Sequence, residues 1–290
     1  MTERVERAGI GLRGNEWLLL IGLTAAFVPA LLELSEVWSR YEYYSHGYLV
    51  PFAALWAATA QRKILPQLPI ERSLQGALLL GLSLMLYGVG RLASIVSLQG
   101  LALVLCVASA VYFARGRAWV RSLGFSISYL IFMVPVPDVL ITPFIAKLQL
   151  FVSSAAIEVV HGMGMPVYRE GNVMHLPGGA SLFVAEACSG ITSILTLVPL
   201  AVFLAYFTQP NLARRFALVV AVIPLAMLGN LIRVVSTIYA AQRFGTEIAT
   251  GELFHQWAGI LTYVLGCFAL LAIGSLMTRM LPAYKAHTAP

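Results

Sequence analysis

Three residue types that together can attack a peptide bond are scattered along this chain, each near the end of an apolar run. Cys188 sits in Glu186-Ala187-Cys188-Ser189-Gly190-Ile191, at the polar-to-apolar edge of a hydrophobic segment. Arg233 lies inside a later hydrophobic segment, and His255 stands at the mouth of the last one. A thiol, a fixed cation and an imidazole are the parts of a cysteine-nucleophile site. At a helix start beside Ser189 and Gly190, Cys188 meets unpaired N–H groups that favour a thiolate. Gly190 leaves space for a substrate backbone. The plain alternative is a small core residue, since cysteine often packs as one. Arginine inside a span costs about 2.5–3.5 kcal/mol at the helix centre, less near the interface. Arg233 therefore either snorkels to headgroups or has a task. It stays protonated, so the task is to hold a thiolate or an oxyanion, not to act as a base. Asn230, three residues earlier on the same face, is placed to orient the guanidinium. His255 is the natural acid or base, its alternative being an interfacial histidine bonded to a headgroup. Gly259, one turn on, lets another helix or a substrate come close.

The remaining candidates are weaker. His46, in Ser45-His46-Gly47, either lines the same site or packs structurally. Glu186 near the thiol caps a helix start or takes part in catalysis. His161 and His175 lack metal-ligand spacing and His287 is in the tail, so neither a metal nor a cofactor is expected. Cys106 and Cys267 lie inside apolar runs, and three cysteines make no disulfide framework. There is no glycine-rich phosphate loop.

The elements that must position these residues are membrane helices. Of 290 residues, 59% are hydrophobic and only 11% charged, with a mean hydropathy of +0.83. Soluble domains carry roughly a quarter charged residues, so a polytopic membrane protein is expected. The formal charge of +6 is scattered between apolar runs, which gives no nucleic-acid surface. Eight apolar segments are read as spans, at 17–34, 46–60, 74–90, 93–113, 120–135, 189–208, 213–241 and 255–278. A further stretch, 138–162, is amphipathic and reads as a helix at the interface or packed in the bundle. The first span follows a charged start without a typical cleavage site and is expected to be retained as an anchor.

Basic residues set the orientation. With the N-terminus in the cytoplasm, all of the 19 Lys and Arg except Arg40, Arg91, Lys147, Arg169, Arg233 and Arg243 fall on the cytoplasmic side. The acids run the other way: only Glu3, Glu6, Glu16 and Glu71 of 13 are cytoplasmic. Cys188, Arg233 and His255 then share one depth on the extracytoplasmic side. The outside segment 163–187 carries two short extended runs flanking Pro177-Gly178-Gly179, a hairpin signal. Trp38, Tyr41, Tyr43, Tyr44, Tyr48 and Trp257 read as an outer aromatic belt. The expected fold is all-α: a bundle of about eight transmembrane helices, one interfacial helix and a small extracytoplasmic hairpin. It forms a single integral-membrane domain over 1–290, with cytoplasmic tails at 1–15 and 279–290.

The chain resembles the exosortases, the bacterial branch of the exosortase/archaeosortase family of multi-span cysteine transpeptidase-like enzymes. The matching pieces are Pro135-Val136-Pro137, Glu170-Gly171-Asn172-Val173, Glu186-Ala187-Cys188-Ser189-Gly190, Asn230-Leu231-Ile232-Arg233, His255-Gln256-Trp257-Ala258-Gly259 and Ser45-His46-Gly47. Together they run over nearly the whole chain. The resemblance implies a Cys188, Arg233, His255 triad. It implies substrate proteins with a C-terminal sorting signal, made of a Pro-Glu-Pro-like motif, a transmembrane helix and a basic tail. Such proteins are cut at the outer face of the bacterial inner membrane, in cells that make exopolysaccharide. The implied activity is that of a cysteine-type peptidase or transpeptidase, with water, an amine or a hydroxyl as acceptor. Its partners are the substrate proteins and membrane lipids. A transporter or flippase for a lipid-linked glycan, with Arg233 on a phosphate, is the competing class. A membrane scaffold is a third, and it has no need of a buried arginine.

Overall fold

A computed structural model describes residues 14–171, 173–177, 179–183 and 190–280, and the backbone alone of Asn15, Glu252, Phe254, His255 and Met280. The chain divides into two compact units, Met1–Pro137 and Asp138–Pro290. Among the described residues, seven helices are long and apolar enough to cross a membrane. The protein is a polytopic, all-α membrane bundle with one small sheet.

The first unit holds α1 (Gly14–Arg40), α2 (Val50–Thr59), α3 (Leu74–Leu92), α4 (Val96–Arg115), α5 (Arg117–Ser122) and α6 (Gly124–Tyr129). Buried or half-buried polar pairs mark its two ends. At one end the Arg115 guanidinium donates to Glu16 at 2.6 Å and lies over the Trp119 ring. There the Glu71 N–H also donates to the Arg115 carbonyl, at 3.4 Å. At the other end Glu33 accepts from Arg91 and, through its second oxygen, from Gln99 Nε2 at 2.8 Å. Helices α1 and α3 are therefore parallel, and residues 41–71 must bring the chain back. They do so in pieces: a 3-10 turn over Glu42–Tyr48, the ten-residue α2, and a second 3-10 turn over Leu65–Gln67. The expected span at 46–60 is thus not one span-length helix, because ten helical residues rise only about 15 Å. The expected span at 120–135 is likewise broken, into α6 and a 3-10 turn over Leu130–Met133.

Bulky aromatics hold these broken pieces. Trp38 Nε1 donates to the Met133 carbonyl at 2.9 Å. Tyr44 Oη donates to the Val136 carbonyl at 3.1 Å and accepts from the Val136 N–H at 2.9 Å. Trp38, Tyr43 and Tyr44 are buried, so half of the expected aromatic belt is core instead. Irregular backbone at membrane depth is tolerated only where such partners satisfy it.

The second unit holds α7 (Asp138–Gly162), β1 (Tyr168–Glu170), β2 (Val173–His175), β3 (Ser181–Phe183), α8 (Ile191–Thr208), α9 (Leu212–Val220), α10 (Val222–Phe244), α11 (Thr246–Ala249) and α12 (Glu252–Met280). The expected hairpin is a three-stranded antiparallel meander in the order β1-β2-β3. The first strand was hidden by Gly171, whose positive φ of 63° turns β1 into β2. One sheet face is buried: Met174 and Leu182 pack with Val152, Ala156 and Val160 of α7 and with Val234 and Ile238 of α10. Helix α7 has the bounds expected for the helix at 138–162, and by length and composition it is also long and apolar enough to cross a membrane.

Candidate functional site

The second unit presents its candidate chemistry at one end. Helices α8, α10 and α12 pack through a shared core of Leu197, Ala201, Val222, Ala226 and Leu270. At the far end, the Gln209 side-chain amide donates to the Gly274 carbonyl at 3.1 Å. That contact sets α8 and α12 parallel to each other, with α10 running against them. The start of α8, the middle of α10 and the start of α12 are thereby brought to one level.

Gly190 is the residue before α8 and holds φ at +85°, a left-handed conformation that a side chain resists. A methyl placed on it would come 3.5 Å from the Asn230 side chain. Asn230 is 2% exposed and Arg233 7% exposed, both on α10. The two lie three residues apart and so share a face, as the sequence spacing implies. Arg233 in turn lies against α12. A methyl on Gly259 would stand 3.3 Å from its Nη2 and 3.5 Å from its Cζ. Arg233 is thus packed against protein, whereas a snorkelling arginine sends its head out to the headgroups.

A buried cation and amide are thus wedged between two glycines. One glycine, Gly190, is two residues after Cys188. The other, Gly259, is one helical turn after His255, on the same face. Cys188, Ser189 and Glu186 lie outside the described residues. His255 belongs by its backbone to the first turn of α12, and its side chain lies outside the description.

His46 belongs to the first unit. Its Nε2 bonds the Phe132 carbonyl at 3.1 Å. The adjoining Gly47 is pressed against Trp38, where a methyl would fall 2.4 Å from the indole nitrogen. Ser45-His46-Gly47 thus contacts the Trp38 and Phe132 region of that unit. His161 bonds the Val167 carbonyl, and His175 stacks on Tyr168 at 4.5 Å while bonding Ser181 Oγ at 2.8 Å. Trp38 and Tyr44, read from the sequence only as belt residues, turn out to be structural donors. Their carbonyl partners lie more than ninety residues away, and no local pattern signals them.

The fold defines a multi-pass membrane protein, and the buried polar side chains mark a candidate site at one end of its second unit. The family model for the transmembrane exosortases matches residues 38–272, and the chain belongs to that family. Membership brings a membrane transpeptidase-type function that acts in general on proteins carrying C-terminal sorting signals. A search of curated proteins and a search of solved structures each returned no match.

Proposed function

We propose that this protein is a membrane cysteine transpeptidase or protease that cleaves sorting-signal proteins through an acyl-enzyme on Cys188. The observation that carries the reading is the burial of Asn230 and Arg233 between Gly190 and Gly259, next in sequence to the thiol and the imidazole.

The chemistry follows from the residue types. His255 takes the Cys188 proton, with Arg233 and the start of α8 favouring the thiolate. The sulfur attacks the carbonyl carbon of the scissile peptide, and the electron pair moves to its oxygen. Arg233, oriented by Asn230, donates to that oxyanion, in a setting where a preorganised donor is worth about 2.7–4 kcal/mol. The tetrahedral intermediate collapses to a thioester as the C–N bond breaks, and His255 returns the proton to the leaving amine. Water then gives a shortened protein, while an amine or hydroxyl gives a conjugate. Ser189 and Glu186 adjoin the thiol in sequence. The signal read by the enzyme is the Pro-Glu-Pro-like motif with its helix and basic tail, in proteins tied to exopolysaccharide export.

The site faces the periplasm in this reading, with both termini in the cytoplasm of a bacterial inner-membrane protein. Each unit supports it separately. Arg62, Lys63, Arg72, Arg117 and Arg121 collect toward the Glu16 end of the first unit, while Arg214, Arg215 and Arg279 collect at the end of the second opposite Arg233.

Mass spectrometry of a candidate substrate's new C-terminus tests the proposal. Wild-type protein should generate a discrete shortened or conjugated product, and a thioester should be trapped on Cys188. Cys188→Ala should accumulate and yield none. Equal product from Cys188→Ala would remove the nucleophile and leave a phosphate-gripping transporter as the better account.

A further inference from the structure

The sheet of the second unit has two outer edges of different character. Its register places Met174 opposite Leu182, with His175 facing Ser181 and Val173 facing Phe183. The Leu176 N–H donates to the Ala180 carbonyl at 2.8 Å. Hydrogen-bonded and non-bonded pairs alternate along an antiparallel ladder, so Met174 and Leu182 bond each other while the flanking pairs do not. The N–H and C=O groups of Ser181 and Phe183 therefore point away from β2, along the outer edge of β3. The 2.8 Å side-chain contact between His175 and Ser181 fits, since non-bonded pairs bring side chains closest.

Edges of this kind are usually blocked by charge, proline or a covering element. The edge of β1 is guarded in that way: its outward backbone groups belong to Arg169, beside Glu170, and the strand lies against α7. The edge of β3 is Ser181-Leu182-Phe183, with no charge and no proline, and both outward residues are exposed. Among the described residues nothing pairs with it. Two further facts tie it to the site. Phe183 stands five residues before Cys188 in the chain. The buried side of the same strand, Leu182, packs in one cluster with Val234 and Ile238, the residues that follow Arg233 on α10.

We infer that the outer edge of β3 is the docking rail for the substrate. An extended segment of the substrate protein adds there as a fourth strand, exchanging backbone hydrogen bonds with Ser181 and Phe183, and is thereby led to Cys188. Strand addition gives affinity through the main chain and leaves selectivity to alternate side chains. The inference rests on the function proposed above and names how its substrate is held.

The test uses the full chain in liposomes with synthetic peptides carrying the sorting signal, each N-methylated at one backbone position. Methylation at alternate residues of a short run should lower processing by roughly threefold to tenfold, the worth of one lost hydrogen bond, while the residues between tolerate it. Phe183→Pro, which deletes one outward N–H, should lower processing similarly, with Cys188 still reacting normally with a small alkylating reagent. Phe183→Ala keeps the N–H and should process nearly as wild type. A scan without alternation overturns the inference, as does a normally alkylated Phe183→Pro that processes at the wild-type rate. A wild-type chain that cleaves the unmethylated peptide but shows no alternation removes the rail alone. One that cleaves no peptide at all refutes the proposed function and the rail with it.

Discussion

Gly259→Ala adds one methyl where a guanidinium already stands. The new carbon would lie 3.3 Å from Arg233 Nη2 and 3.5 Å from both Cζ and Nη1. Relaxed contacts between heavy atoms fall at about 3.5–4.0 Å, so Arg233 or α12 must give by a few tenths of an ångström. Arg233 is 7% exposed, so its displacement is made inside packed protein. A misplacement of 1 Å at a catalytic group costs about 10²-fold in rate. Scaled on that slope, Gly259→Ala should slow processing roughly twofold to fivefold. Gly259→Val, with two more carbons, should force a shift of about 1 Å and approach 10²-fold. The assay is the rate of substrate shortening in membranes, normalised to the amount of chain. The diagnostic control is the pair with Arg233→Lys. If the valine acts by displacing the guanidinium fork, it should cost little more once that fork is gone, as expected of coupled sites. A Gly259→Val chain within twofold of wild type refutes the reasoning. So does a full valine penalty in the lysine background.

Other expectations follow from the same coordinates. Arg233→Lys keeps the charge but loses the planar donors; it should insert and accumulate normally yet lose on the order of 10²-fold in processing. Near-normal processing by that variant would leave Cys188 and His255 as a dyad. A cysteine at residue 175, in a chain lacking the native cysteines, should react with a membrane-impermeant thiol reagent in spheroplasts, while one at residue 118 stays silent until the membrane is opened; the reverse pattern would turn the site to the cytoplasm, and labelling of both would mean that α7 crosses. Arg115→Met strips Glu16 of its buried arginine and should destabilise the chain by about 3–5 kcal/mol, read as a lower melting temperature in detergent. Adding Glu16→Leu should recover much of that loss, and a double variant no better than the single would deny the pair its role.

The long helices were legible because a bilayer demands about twenty apolar residues in a row, a pattern few other structures need. Arg233 and Asn230 were legible for the complementary reason, that polar groups stand out against such runs. The broken segments were not. Residues 46–60 and 120–135 are as apolar as true spans, and what divides them is tertiary: Trp38 and Tyr44 reach carbonyls at Met133 and Val136. Counting aromatics near a predicted membrane surface therefore assigned Trp38, Tyr43 and Tyr44 to lipid when they belong to protein. The added strand, β1, escaped because three residues ahead of the Gly171 turn carry too little periodicity to register. His46 shows the limit for sites: a histidine beside a glycine reads equally well as chemistry or as packing, and the contact of Gly47 with Trp38 had no signal in the sequence.

The pairing of Glu33 with Arg91 and Gln99 bears on how the protein is made. Helix α1 leaves the ribosome first, carrying a carboxylate seven residues before its end at Arg40, inside the apolar stretch. Its partners are synthesised some sixty residues later, one at the end of α3 and the other in the first turn of α4. They lie on one hairpin, closed where the Ile95 N–H bonds the Gly90 carbonyl between α3 and α4. Until that hairpin inserts, Glu33 is an unsatisfied acid that disfavours full burial of α1. Biogenesis of the first unit therefore has an order written into it. In an insertion that follows chain order, the arginine and the amide would reach Glu33 together, as parts of one hairpin.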